Sequence, residues 1–437
     1  MSAALLGLVG LFALIFARVP IAVSLAVVGF VGFSLEVGVE PALALVAHAT
    51  KEGTLNFELS VVPLFVLMGN LIARARLSDE LYAAAYAFLG HLKGGLALAT
   101  IAACGGFSAV CGSSMATAAT MAKVSMPSMR RYNYDDRLAT GAIAAGGTLG
   151  ILIPPSIMLV VMGPVLEVPV TSLFAAAIVP GILLALLFTG YAMVRCWFDP
   201  SLGPPLPKEA RPANMREVWS EFFKGLVPPA ALVLAALGSI VFGFATPTEG
   251  AGCGAFGALL LTLAYRKLTW SNLKDAMVKT LEISVLILFL VAASNFFGAV
   301  FARLGTPTML TELLLGLDLN RYVLLALIMA LIFLLGWPLE WVPIVLIVVP
   351  FLLPLITKLG FDLTWFGILV AVNLQTAWLS PPVALSAYFL KGVVPQWNLT
   401  DIYKGMMQFM VLQLIALILI IAFPQIALWL PELIYGK

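Results

Sequence analysis

The chain has 437 residues, is 62% hydrophobic and only 11% charged, where soluble domains carry roughly a quarter charged residues. That balance excludes an ordinary soluble enzyme, and a net charge of +2 gives no basis for nucleic-acid binding. Two histidines and four cysteines, none in CxxC spacing, exclude a His-rich metal site and point to buried free thiols rather than a disulfide framework.

In chain order, Met1 to Phe16 is the first apolar block. It has no basic leader, since the first positive side chain is Arg18, so it reads as a retained helix and not a signal peptide. Leu173 to Val194, Val227 to Phe244 and Met406 to Leu430 are further, nearly uncharged blocks. Crossing a bilayer takes about 20 apolar residues in a helix, which pairs its backbone internally. Barrel strands need only about 10 alternating residues. The expected fold is therefore an all-α polytopic membrane protein. The polar, proline-rich stretch Asp199 to Lys224, with PSLGPPLPKEARP, reads as a linker between two halves, 1–198 and 225–437.

Positive charge supports one threading. Arg18, Arg74, Arg76, Lys93, Arg130, Arg131, Arg137, Arg195 and the linker cations fall on one side, while Lys51, Arg303, Arg321, Lys358 and Lys437 remain on the other. The richer side is expected to be cytoplasmic. Both termini then face the periplasm. The count works only if 95–128 and 321–357 are re-entrant hairpins, so that each half makes an odd number of crossings. The halves match in order: Pro20 with Pro247, Asn70 with Asn295, Gly112 with Gly336, Pro127 with Pro350 and Pro154 with Pro381, at offsets of 227, 225, 224, 223 and 227. Inverted repeats with helices broken in matching places are the signature of a secondary transporter.

Four places interrupt the apolar pattern: Cys111 to Thr117, Gly146 to Ser156, Gly336 to Trp341 and Asn373 to Pro382. Proline frees helix carbonyls that can coordinate a cation, and the start of the next half-helix can face an anion. Small residues also serve close helix packing, so a single Ser or Thr is ambiguous. Glu340 is stronger, because an ionisable side chain in an apolar run is costly. Asn70 and Asn295 are either helix-packing groups or site groups, and Asn295 is carried as a substrate-site candidate. No phosphate loop, ATPase signature or Ser/His/Asp set is present, and a membrane enzyme would have only Glu340 to work with. Energy must come from an ion gradient or from another chain.

At these residues the sequence resembles the large membrane subunit of TRAP (tripartite ATP-independent periplasmic) transporters. The resemblance runs nearly end to end, through ARVPIAVSLAVVG, PLFVLMGN, ATAATMAKVSMPSMRRYNYDDRLATGAIAAGGTLGILIPPSIMLVVMG, TPTEGAG and NLQTAWLSPPVALSAYFLKGV. It implies a sodium-driven elevator importer of an organic acid in a bacterial inner membrane, with no cofactor beyond the coupling ion. A small membrane subunit and a periplasmic substrate-binding protein would be its partners. It implies a first sodium region of Gly112, Ser113, Ser114 and Thr117 with the stretch Thr148 to Ser156, Pro154 included, and a second of Gly336 with the stretch Asn373 to Pro382, Thr376 and Pro381 included. Glu340, Ser380 and Ser156 would contact substrate. The second tip, Gly-Trp-Pro-Leu-Glu-Trp, departs from the Ser or Gly-Asn-Phe-like residues common in the family. DLTWFGILVAVNLQTAWLSPP is similar to a subgroup associated with monocarboxylates such as 2-oxo acids.

The threading predicts that single cysteines introduced at Ser201 and near Lys437 label from opposite sides of the membrane. Labelling from the same side overturns it.

Overall fold

The structure is a computed structural model that describes residues 2–212, 214–381 and 385–436. Among the described residues the regular structure is helical, with no strand. The first half contains α1 (Ser2–Phe16), α2 (Ile21–Val37), α3 (Val39–Leu55), α4 (Val61–Arg74), α5 (Leu77–Leu89), α6 (Gly95–Cys111), α7 (Ser114–Arg131), α8 (Asp136–Leu152), α9 (Ile157–Leu166) and α10 (Val170–Phe198). The second contains α11 (Met215–Val241), α12 (Pro247–Ala264), α13 (Trp270–Arg303), α14 (Thr306–Leu315), α15 (Arg321–Leu335), α16 (Trp341–Lys358), α17 (Leu363–Leu379), α18 (Leu385–Val393), α19 (Leu399–Ala422) and α20 (Gln425–Tyr435). Five of these are long and apolar enough to cross a membrane, and two bent pairs, α4 with α5 and α8 with α9, raise that to seven. The polar linker is shorter than its composition suggests. Asn214 caps α11 by accepting from Glu217 N at 3.0 Å, so Met215 to Lys224 is helical.

Helix bounds recur at a constant spacing. Ser114 and Trp341, Arg131 and Lys358, Asp136 and Leu363, and Leu152 and Leu379 are each 227 residues apart. α7 and α16 both have 18 residues, and α8 and α17 both have 17. The caps recur as well. Asp135 accepts from Arg137 N and Leu138 N at 3.0 Å, and Asp362 accepts from Trp365 N at 2.8 Å. Such caps satisfy the orphan amides that start each helix.

Within these helices the spacing pairs Pro127 with Pro354 in place of Pro350, while Gly112 and Gly336 each follow directly on the helix before a tip, α6 and α15. Gly112 has a left-handed backbone, φ 61°, whereas Gly336 is helical at φ −64°, so the two glycines do different work.

α8 and α17 sit side by side at the centre, and from Leu138 to Leu152 and Trp365 to Leu379 every residue is buried. α6, α7, α9, α15 and α16 pack around them, with α10 and α19 closing one flank. α2 and α3 lie against α13, whose Met277, Leu281, Val285 and Phe289 are exposed, as a lipid-facing surface requires. The halves are tied by polar contacts at one end: Trp397 Nε1 donates to Asp136 at 2.7 Å, and Arg137 Nε meets Asp401 at 3.1 Å. Three cysteines are buried and free, as expected, but Cys253 is exposed on α12.

Close approach of the central helices depends on glycine. A Cβ on Gly147 of α8 would stand 2.6 Å from Ala118 Cβ of α7, whereas one on Gly190 meets nothing within 4 Å. Gly147→Ala should therefore destabilise the protein by about 1–3 kcal/mol. Thermal melting in detergent checks this: a lowered melting temperature for Gly147→Ala but not Gly190→Ala is expected, and equal melting contradicts the packing.

Candidate functional site

Four interruptions of helix meet at the centre. The first tip is Gly112 and Ser113, between α6 and α7. Gly112 needs its left-handed backbone, and a side chain there would collide with the carbonyl of Pro155. Ser113 caps α7, its Oγ accepting from Ala116 N at 3.5 Å. The first break runs from Ile153 to Ser156, with a bend of 41° between α8 and α9. Ser156 caps α9 in position, but its hydroxyl donates back to Ile151 O. Gly150 lets α8 press on the first tip: a Cβ there would lie 3.0 Å from Ser114 N.

The second tip runs from Gly336 to Glu340, and Glu340 occupies the N-cap position of α16. Gly336 packs against Ala377, where an added Cβ would come within 2.5 Å of the Ala377 Cβ. Trp337 Nε1 donates to Ser380 Oγ at 2.7 Å, fastening this tip to the second break. That break begins at Ser380 and Pro381; Pro382 lies outside the described residues.

Both tips face one cavity of about 170 Å³. From the first half it is lined by Val66, Gly69 and Asn70, by Cys111 to Ala116, and by Ile151, Ser156, Ile157 and Met158. Glu340, Trp341, Val342 and Trp378 face it from the second half, and Ile283, Leu286 and Ile287 of α13 close it. Four pairs of residues 227 apart line it together: Ser113 with Glu340, Ser114 with Trp341, Met115 with Val342, and Ile151 with Trp378. The cavity is thus built from equivalent parts of both halves. Three helices, α7, α9 and α16, begin at its wall. Their free amides and aligned dipoles give it a positive character without a cationic side chain.

The expected site residues divide. Gly112, Ser113, Ser114, Ser156 and Glu340 line the cavity. Thr117, Thr148, Pro154, Gly336, Thr376, Ser380 and Pro381 do not. Thr117 donates to Ser113 O at 2.8 Å, Thr376 to Val372 O at 3.0 Å, and Ser380 to Ala377 O at 3.0 Å. Thr148 donates to Ala145 O at 2.7 Å and accepts from Gln413 Nε2 of α19 at 2.9 Å. Asn295 is not brought to the cavity. It is exposed in a separate recess beside His48, Glu52 and Asn56. Of Asn70 and Asn295, only Asn70 faces the centre, its Nδ2 held by Thr280 Oγ1 at 3.1 Å. Glu340 is exposed while lining the cavity.

Gln375 lies in the Asn373 to Pro382 stretch singled out from the sequence, with no role of its own given there. It is the counterpart of Thr148 and is fully buried, and neither its amide oxygen nor its nitrogen has a hydrogen-bond partner among the described residues. Gln413 was missed by sequence reasoning, with no signal beyond a polar residue in an apolar run.

Residues 8–426 match the family of the tripartite ATP-independent periplasmic transporter, DctM component. The chain is 33% identical over 435 residues to the sialic acid TRAP transporter large permease protein SiaM of Vibrio cholerae, covering 98% of each chain. It is 31% identical over 446 residues to the C4-dicarboxylate TRAP transporter large permease protein DctM of Rhodobacter capsulatus, covering 97% of this chain and 98% of that one. Among solved structures, the Alcanivorax borkumensis YdaH transporter shares the fold, with a TM-score of 0.59, 17% identity and 90% of each chain covered. The chain therefore belongs to the DctM family of TRAP transporters: it is a multi-pass inner-membrane permease subunit, and not an enzyme.

Proposed function

We propose that this permease imports a monocarboxylate on a sodium gradient, with the cavity between the two tips as the cargo site. The observation that carries the reading is the convergence of three helix starts on a cavity lined by equivalent residues of both halves. Half-helix N-termini aimed at the membrane centre are how a transporter holds an anionic group. Asn70, Ser113, Ser114 and the amides that start α9 behind Ser156 would take the carboxylate, and Glu340 a hydrogen-bond donor elsewhere on the cargo. Ser380 would act through Trp337, holding the second tip in place.

Sodium would sit at the two breaks, which offer the oxygen ligands it favours. The first set is Gly112, Ser113, Ser114, Thr117, Thr148 and Pro154, and the second is Gly336, Thr376 and Pro381. The buried, unpartnered amide of Gln375 supports the second set, because an orphaned carbonyl oxygen gains most from a cation. The equal helix lengths at a spacing of 227 residues support two repeats, inverted as the charge threading requires, with the tips and broken helices moving as one elevator body. A small membrane subunit and a periplasmic binding protein would complete the system, and both termini would face the periplasm.

Two results are expected in proteoliposomes carrying the assembled transporter. Uptake should require sodium and no ATP, and Ser114→Ala should raise the sodium concentration for half-maximal uptake. Wild-type rates without sodium end the coupling proposal. Glu340→Gln should lower cargo affinity roughly tenfold to a hundredfold, the cost of about 1–3 kcal/mol for one lost polar partner. Normal uptake by both Glu340→Gln and Glu340→Ala would leave Glu340 a solvated tip residue.

A further inference from the structure

We propose that the inter-tip cavity is a charge filter: it accepts a carboxylate with one negative charge and a hydrogen-bond donor at its far end, and Glu340 rejects dianions. This rests on the reading of the cavity as the cargo site.

Among the described residues lining the cavity there is no Lys, Arg or His, and Glu340 is the one that carries a charge. The polar groups are divided between the halves. Asn70, Ser113, Ser114 and Ser156 stand on the first-half side, where α7 and α9 begin. At the position equivalent to Ser113, the second half presents Glu340 instead, and at the position equivalent to Ser114 it presents Trp341. The near-symmetric frame therefore carries an asymmetric pair of ends. One side offers hydroxyls and helix amides, which hold an anion without a cationic side chain. The other offers a carboxylate, which accepts hydrogen bonds and repels negative charge.

The rest of the lining is largely apolar, with Val66, Met115, Ile157, Ile287, Trp341 and Trp378 among it. Such walls keep the local dielectric low and lengthen the reach of a charge. A cargo with carboxylates at both ends would set the second against Glu340, with no cationic side chain between them. A cargo ending in a hydroxyl or an ammonium would donate to Glu340 in a charge-assisted hydrogen bond. Selectivity of this kind needs an element that works against the wrong ligand as well as one that favours the right one. Glu340 supplies both.

The test is direct binding, by isothermal titration, to the assembled transporter in lipid nanodiscs. The probes are matched pairs of straight-chain acids from three to six carbons, each pair a terminal hydroxy acid and the dicarboxylate of the same length. Wild-type protein is expected to bind at least one hydroxy acid, and to prefer it over its dicarboxylate by roughly tenfold or more. Glu340→Gln should bring the two within about threefold, and Glu340→Asp should keep the preference. Comparable wild-type binding of both members of a pair overturns the filter but leaves the cavity as the cargo site. So does a Glu340→Gln protein that keeps the preference. Wild-type binding of no member of either series overturns the cargo-site reading, and the filter with it.

Discussion

A backbone amide or carbonyl left unpaired in hydrocarbon costs several kcal/mol, so a chain that interrupts its helices inside a membrane must bury the interruptions in protein. The rest of the molecule follows from that constraint. α8 and α17, which run into the proline breaks, are buried along nearly their whole length. The tips cover the breaks: Gly112 lies against the Pro155 carbonyl, and Trp337 is bonded to Ser380. Glycines at 147, 150 and 336 bring the backbones close enough for that cover to work. The longer, lipid-exposed helices then shield the centre, as the exposed apolar residues of α13 show.

The same constraint brings chemistry to the centre. A broken helix and a tip each end one helix and begin another, and a helix that begins has free amides and a positive end. Burying the interruptions together gathers three such starts around one small cavity. Packing and polarity therefore have one cause. The two halves differ where it matters most for cargo, with Ser113 and Ser114 facing Glu340 and Trp341 across the same space.

Much of this was legible in the sequence because its signals are local and steric. Pro154 and Pro381 mark breaks wherever they fall, and the Cys111 to Ser114 tip is polar in an apolar run. Register was not legible in the same way. Runs of Leu, Ile and Val look alike when slid by a few residues, so Pro127 was matched to Pro350 rather than Pro354. Helix ends fix what composition leaves loose. They make Glu340 the partner of Ser113, and Gln375 the partner of Thr148. Side-chain direction was the other hidden quantity. Thr148 is polar and beside a break, yet its hydroxyl is taken up by Ala145 and Gln413.

The central claim is that cargo binds between the two tips, and the most direct measurement is an experimental structure of the assembled transporter with cargo bound. Cargo density is predicted in the inter-tip cavity, with the carboxylate against Ser113 and Ser156 at the starts of α7 and α9 and the opposite end toward Glu340. Cargo density elsewhere, such as the outer recess beside Asn295, with the inter-tip cavity holding none, would contradict the account.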